Sequence, residues 1–160
     1  MKYLLDTSVF IEAKKTYYAF DICPGFWNWI KTSENLQSIV AVKQEIMNGN
    51  DLLKDWVSDN LSNAFFLPCD QKIQSKYAGI AEYVMALPDD YIMKGKLDFL
   101  KGADGWLIAA AEIFGCTIIT YEHYDVRCRK KVLIPNVAEH YQVRCIDVFT
   151  ALREMKVQFN

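Results

Sequence analysis

The chain has 160 residues, with 18 Lys+Arg set against 20 Asp+Glu for a formal net charge of −2. That length suits a single domain over residues 1–160 with an apolar core of its own. The charge balance excludes a global positive field that would draw the protein onto nucleic acid or a membrane surface, so any nucleic-acid contact has to be local or metal-assisted.

In chain order, KYLLD (2–6) is the first strand candidate, an apolar run closed by Asp6. The polar Asp6, Thr7 and Ser8 lead into a first helix, and an aromatic-rich segment follows with Tyr17, Tyr18, Phe20, Phe26, Trp27 and Trp29. QSIVAV (37–42) reads as the second strand, and AVKQEIMNG as the helix after it, with Glu45 on the face of Val42 and Ile46. FFLP (65–68) is a third strand. The next helix, IQSKYAGIAEYVMAL, carries Ile73, Tyr77, Ile80 and Val84 at helical spacing behind Asp70 as N-cap. ADGWLIAAAEIFG (103–115) is apolar almost all round until Gly115, which predicts a helix packed on several sides. CTIIT (116–120) and RCIDV (144–148) are the last strands, and VFTALREMKV is a terminal helix capped by Asp147. Alternating strands and helices predict an α/β fold, a central and mainly parallel sheet of about four or five strands covered on both faces.

The cysteines, Cys23, Cys69, Cys116, Cys128 and Cys145, are odd in number and form no Cys-x-x-Cys pair. They predict reduced thiols in a cytoplasmic protein. With only His123 and His140 as imidazoles, zinc is a poor match. No apolar run reaches the length of a signal-peptide core or a membrane span, so no membrane partner is expected.

Open α/β sheets bind ligands beyond the carboxyl ends of their strands. Four acids from separate elements are expected at that edge: Asp6 closing the first strand, Glu45 on the helix after the second, Asp104 opening the apolar helix, and Glu122 after CTIIT. Each also has a plain reading. Asp6 and Asp104 can cap the helices they precede, and Glu122 can be a solvated loop residue. Asp70 and Asp147 are assigned to capping. Asp98 does not share a helix face with Asp104, and Asp125, three residues beyond Glu122, competes with it as the fourth acid.

LLDTSVF resembles the opening of PIN domains, a hydrophobic strand ending in Asp-Thr-Asn or Asp-Thr-Ser. ADGWLIAAA resembles their later Ala-Asp-x-x-Leu/Ile-x-Ala-Ala helix, VKQEIM their Glu after the second strand, and TIITYE their apolar strand followed by Thr-x-acid. The resemblance spans nearly the whole chain and implies a three-layer α/β/α PIN-like fold. A narrower likeness, to PIN-like proteins of bacteria and archaea that include VapC-type toxins, rests on KKTYYAFDICPGFWNW and on the turn KVLIP. One departure stands out: most PIN nucleases carry Asp at the fourth acidic position, and this chain has Glu122.

What the resemblance implies is a Mg²⁺- or Mn²⁺-dependent endoribonuclease, the toxin of a toxin–antitoxin pair. Its RNA products would carry 5′-phosphate and 3′-hydroxyl ends. Its partners would be an RNA substrate and an antitoxin or neighbouring regulatory protein, with a homodimer as a further option. The metal would be held by Asp6, Asp104, Glu45 and Glu122 as catalytic acids, since hard oxygen ligands select such ions. Thr7, Ser8 and Thr120 would support them, and Arg127, Arg129, Lys130 and Lys131 in VRCRKKV would supply phosphate contacts. The alternative is a PIN-fold RNA-binding or scaffold protein whose catalytic site has degraded. The aromatic segment suits core packing, base stacking or a partner surface.

Overall fold

A computed structural model describes residues 2–49 and 51–159, and of Tyr17 the backbone alone. Five short strands form one sheet: β1 (Tyr3–Leu5), β2 (Leu36–Ile39), β3 (Phe66–Leu67), β4 (Thr117–Ile119) and β5 (Cys145–Ile146). Their order is β3-β2-β1-β4-β5, and every described pairing is parallel. The helices between them are α1 (Thr7–Glu12), continued as a π-helical turn over Ala13–Tyr17, α2 (Pro24–Thr32), α3 (Val40–Asn48), α4 (Leu52–Asn60), α5 (Gln71–Met85), α6 (Met93–Lys101), α7 (Asp104–Phe114), α8 (Ile134–His140) and α9 (Val148–Glu154).

The strand order fixes the layers. From β1 the chain steps to β2 and β3 in one direction, then returns across the sheet to β4 and β5. Parallel crossovers are right-handed, so helices α1 to α4 cover one face and α5 to α8 the other. The last helix joins the first group: Glu154 accepts a hydrogen bond from the Tyr3 hydroxyl, and Phe159 packs edge-on to Tyr18 and Phe26. The result is three layers, α/β/α. The reversal of strand order falls between β1 and β4, where a crevice opens at their carboxyl ends.

Burial follows the sequence pattern. All three residues of β1 and of β4 are buried. In α7, Leu107, Ile108, Ala109, Ala110 and Ala111 are buried on successive sides of the helix, as its all-round apolar sequence requires. Gly115 ends that helix at φ 65°, a left-handed cap. The aromatic segment is mostly core: Phe26, Trp27 and Trp29 are buried, and Tyr18 and Phe20 pack against them. The Tyr17 side chain lies outside the described residues.

Several boundaries shift from the sequence reading, α4 and α6 fall where no element was expected, and the largest change is at β2. QSIVAV is strand only as far as Ile39, and Val40 already begins α3. The β-branched run favours a strand locally, yet Val42 and Ile46, one turn apart, bury the helix against the core, and packing overrides propensity. No described helix is long and apolar enough to cross a membrane, and all of the cysteines are free thiols.

Candidate functional site

Leu5 pairs with Ile119 in register, so the next residues, Asp6 and Thr120, emerge side by side at the strand ends. Asp6 is buried, 4% exposed. It stands at the N-cap position of α1, but its side chain makes no capping bond. Its Oδ2 instead accepts hydrogen bonds from Ser8 Oγ at 2.6 Å and Thr120 Oγ1 at 2.9 Å. Burial pushes the Asp6 carboxyl above its ordinary range, and these two hydroxyls with the Thr7 N–H hold it back. The hydroxyls are engaged on their other side as well: Ser8 Oγ accepts from the Tyr121 N–H, and Thr120 Oγ1 accepts from the Glu122 N–H.

Glu45 approaches from α3. Its Oε2 accepts from Thr7 Oγ1 at 2.5 Å and its Oε1 from the Ala103 N–H at 2.7 Å, so it joins the first turn of α1 to the start of α7. Thr7 therefore orients Glu45 rather than Asp6. Gly102 makes room for this link, because a Cβ there would stand 2.8 Å from Glu45 Oε1.

Asp104 is the first residue of α7, one place after the N-cap Ala103, and it too forms no cap. Among the described residues no hydrogen-bond donor reaches its carboxylate. Burial, followed by the charges of Asp6, Glu122 and Glu45, pushes its carboxyl well above the usual range, against the opposing charge of Lys131. Glu122, half-buried, offers Oε2 to the Ile134 N–H at 2.7 Å and so caps α8. Burial and then the Asp6 charge raise Glu122, against that N–H and Lys131.

The structure thus brings Asp6, Glu45, Asp104 and Glu122 to one edge, with Ser8, Thr7 and Thr120 as their hydrogen-bonding support. The residues that sequence reasoning missed are Gly102 and the backbone donors of Ala103 and Ile134; the Gly-Ala-Asp and Ile-Pro junctions were the available signals. Asp125 is not part of the group. It lies exposed in a loop, joined to Asn136 and to the Arg127 N–H, and it contributes to none of the shifts at Asp6, Asp104 or Glu122. Asp70 and Asp147 are the N-caps expected of them, accepting from Ile73 N and Thr150 N.

The basic segment divides. Lys131 acts on the acids, whereas Arg129 is engaged with Asp90 and with the Val126 and Cys128 carbonyls, and lies over the Tyr91 ring. Arg127 and Lys130 point to solvent. Cys145, on β5, is pushed up to about 12 by burial and by the Asp6 and Glu122 charges, which removes it as a nucleophile near neutral pH. The acids supply hard oxygen donors with like charges in excess, the environment that a divalent cation relieves. Yet no group of three Asp, Glu, His or Cys among the described residues is drawn tightly enough to hold an ion as it stands.

The comparisons with known proteins agree with the layered architecture. A structure of FitAB bound to an IR36 DNA fragment is similar over 91% of this chain and 94% of that chain, with a TM-score of 0.53 and 16% identity. The likeness extends to the fold, which is PIN-like. No curated protein matches the sequence. The family model described as a domain of unknown function, DUF4411, matches residues 3–159, and the chain belongs to that family.

Proposed function

We propose that the protein is a metal-dependent endoribonuclease, acting as the toxin of a toxin–antitoxin pair alongside an antitoxin-like partner. The observation that carries this reading is Asp104: a half-buried carboxylate at a helix start, with no hydrogen-bond donor among the described residues, facing three other acids. Like charges gathered at one edge are costly to a fold unless a cation joins them.

The donor set fits Mg²⁺ or Mn²⁺. Asp104 has both oxygens free of described donors, the two hydroxyl bonds to Asp6 both fall on Oδ2, and the N–H bond to Glu122 falls on Oε2. These would be the holding residues, with water completing the shell, since Mg²⁺ retains several waters. When bound, the ion supplies charge neutralisation and activates water for in-line attack on a phosphodiester. Ser8 and Thr120 fix the rotamer of Asp6. Glu45, fastened at both oxygens, sets the position of α7 and so of Asp104, and stands as the water-orienting carboxylate. Lys131, Lys130 and Arg127 offer cations to the phosphates of a bound strand.

A second reading, a PIN-fold RNA-binding or scaffold protein with a degraded site, draws on one observation: the four acids do not close into a ready-made cage. Cleavage of a panel of unpaired and tRNA-like RNAs with Mg²⁺ or Mn²⁺ separates the two. The wild type is expected to cut only with the ion, and Asp104→Asn not to cut. A wild type that leaves every RNA intact, or a variant that cuts equally well, refutes the nuclease reading in favour of the scaffold.

A further inference from the structure

The segment that follows Glu122 joins other elements in lining a hollow of about 300 Å³, and the lining residues include Tyr83, Tyr91, Tyr124, Arg129, Glu139 and His140. Its volume is at the lower end for small-ligand clefts, roughly 300–1,000 Å³. Tyr124 is two residues beyond Glu122, so at most about 7 Å separates their Cα atoms. Two of its tyrosines form fixed walls. The Tyr83 ring stacks on His140 at 4.0 Å, and Tyr91 carries the Arg129 guanidinium 4.6 Å above its ring. Tyr124 differs: it is 53% exposed, and among the described residues no ring stacks on it. Glu139 stands in the same lining and holds a carboxylate beside it.

These features favour a base over a phosphate. Glu139 repels an anion, and Arg129, the cation in the wall, is already engaged by Asp90 and two carbonyls. A neutral aromatic ring is suited to a free tyrosine face. A carboxylate only accepts hydrogen bonds, and among the RNA bases guanine presents two adjacent donors, N1–H and the 2-amino group. Adenine and cytosine set an acceptor nitrogen beside their amino group, and uracil flanks its N–H with two carbonyls.

We infer that this hollow is a nucleobase subsite, in which single-stranded RNA with its phosphate at the acids lays a neighbouring guanine on Tyr124 and against Glu139. The inference rests on the ribonuclease reading for the position of the phosphate, but it can be tested apart from cleavage. Fluorescence anisotropy with short labelled oligouridines, with or without one internal guanine and with Ca²⁺ present, reads binding alone. The guanine strand is expected to bind wild type about tenfold more tightly than the all-uridine strand, as one added stacking and base-edge contact allows. Tyr124→Ala removes that preference, Tyr124→Trp keeps it, and Glu139→Gln lowers it. Equal binding of the two strands by wild type overturns the subsite, as does a Tyr124→Ala variant that retains the preference. Should Tyr124→Ala fail to fold, Tyr124→Trp and Glu139→Gln carry the same test. Asp104→Asn reports on the other reading, since it is expected to abolish cleavage while leaving the guanine preference intact. Guanine preference that follows Tyr124 in a protein that cuts no RNA sustains the subsite and refutes the nuclease. Metal-dependent cutting without any guanine preference does the reverse.

Discussion

Replacing Thr120 by valine tests whether the hydroxyl network, rather than shape, holds Asp6 at the strand end. The two side chains are nearly isosteric and Thr120 is 1% exposed, so the substitution removes a hydroxyl with little change in packing. What is lost is a 2.9 Å hydrogen bond to a buried carboxylate, together with the acceptor for the Glu122 N–H. A bond to a charged group contributes about 1.5–3 kcal/mol, so the variant should be less stable by about 2–3 kcal/mol at neutral pH. For a domain of this size that is a drop of about 4–12 °C in thermal midpoint.

The pH dependence separates this account from a packing defect. Burial raises the Asp6 carboxyl above its unfolded value, and the Thr120 bond holds it down. Losing the bond raises it further, so the folded variant binds its proton more readily than the folded wild type. A raised folded value means stability that falls as pH rises through it. The extra penalty therefore develops as pH climbs from about 4, where unfolded carboxylates titrate, and it is complete once Asp6 is ionised in both proteins. Below the folded-state value both hold Asp6 protonated, and the difference shrinks to that of a neutral bond, about 1 kcal/mol. Thermal melts in chelator at about pH 4 and about pH 8 decide the matter. An equal midpoint difference at the two values would refute the charge-based reasoning and leave Thr120 a packing residue.

Asp104→Asn should raise the stability of the metal-free protein above the ordinary carboxylate range, because it removes a charge that Asp6, Glu122 and Glu45 oppose, and melts in chelator measure it. Adding Mg²⁺ or Mn²⁺ should then stabilise wild type alone, by about 2.7 kcal/mol at a hundredfold excess over Kd. Gly102→Ala should drive Glu45 off the Ala103 N–H, costing about 1.5–3 kcal/mol in urea unfolding and lowering cleavage along with it. Asp70→Ala removes the α5 cap and should cost about 1 kcal/mol in the same measurement while leaving cleavage unchanged.

Much of the fold was legible because its signals are local. Every strand candidate overlaps an observed strand, since short apolar runs between turn residues admit few alternatives, and Gly115 and Asp70 mark helix ends through their own backbone and side-chain chemistry. The edge on which the acids meet was also legible, from the positions of the acids after strands and at helix starts in a parallel α/β sheet. The partners of each acid were not. Thr7 lies next to Asp6 in sequence, yet it reaches across to Glu45, and only the packing of α3 against α1 decides that. Arg129 reads as a free cation in a basic run, and what engages it is Asp90, far upstream. Short-range pattern identifies the elements, while long-range contact assigns the hydrogen bonds between them.

The glutamate in the usual place of an aspartate takes on a physical meaning in this light. Glu122 leaves β4 beside Thr120, which accepts its N–H, so its backbone is fixed at the switch point. From there its carboxylate must span to the Ile134 N–H, where Pro135 follows directly and α8 begins without any side-chain cap of its own. An aspartate is one methylene shorter and, from the same backbone position, has less reach toward that N–H. The longer arm meets it with Oε2, tying α8 to the sheet while its charge still acts on Asp104. On this argument Glu122 is an adaptation of the acidic corner to the way α8 is anchored, and the departure counts less toward a degraded site than it does when read as a letter in a motif.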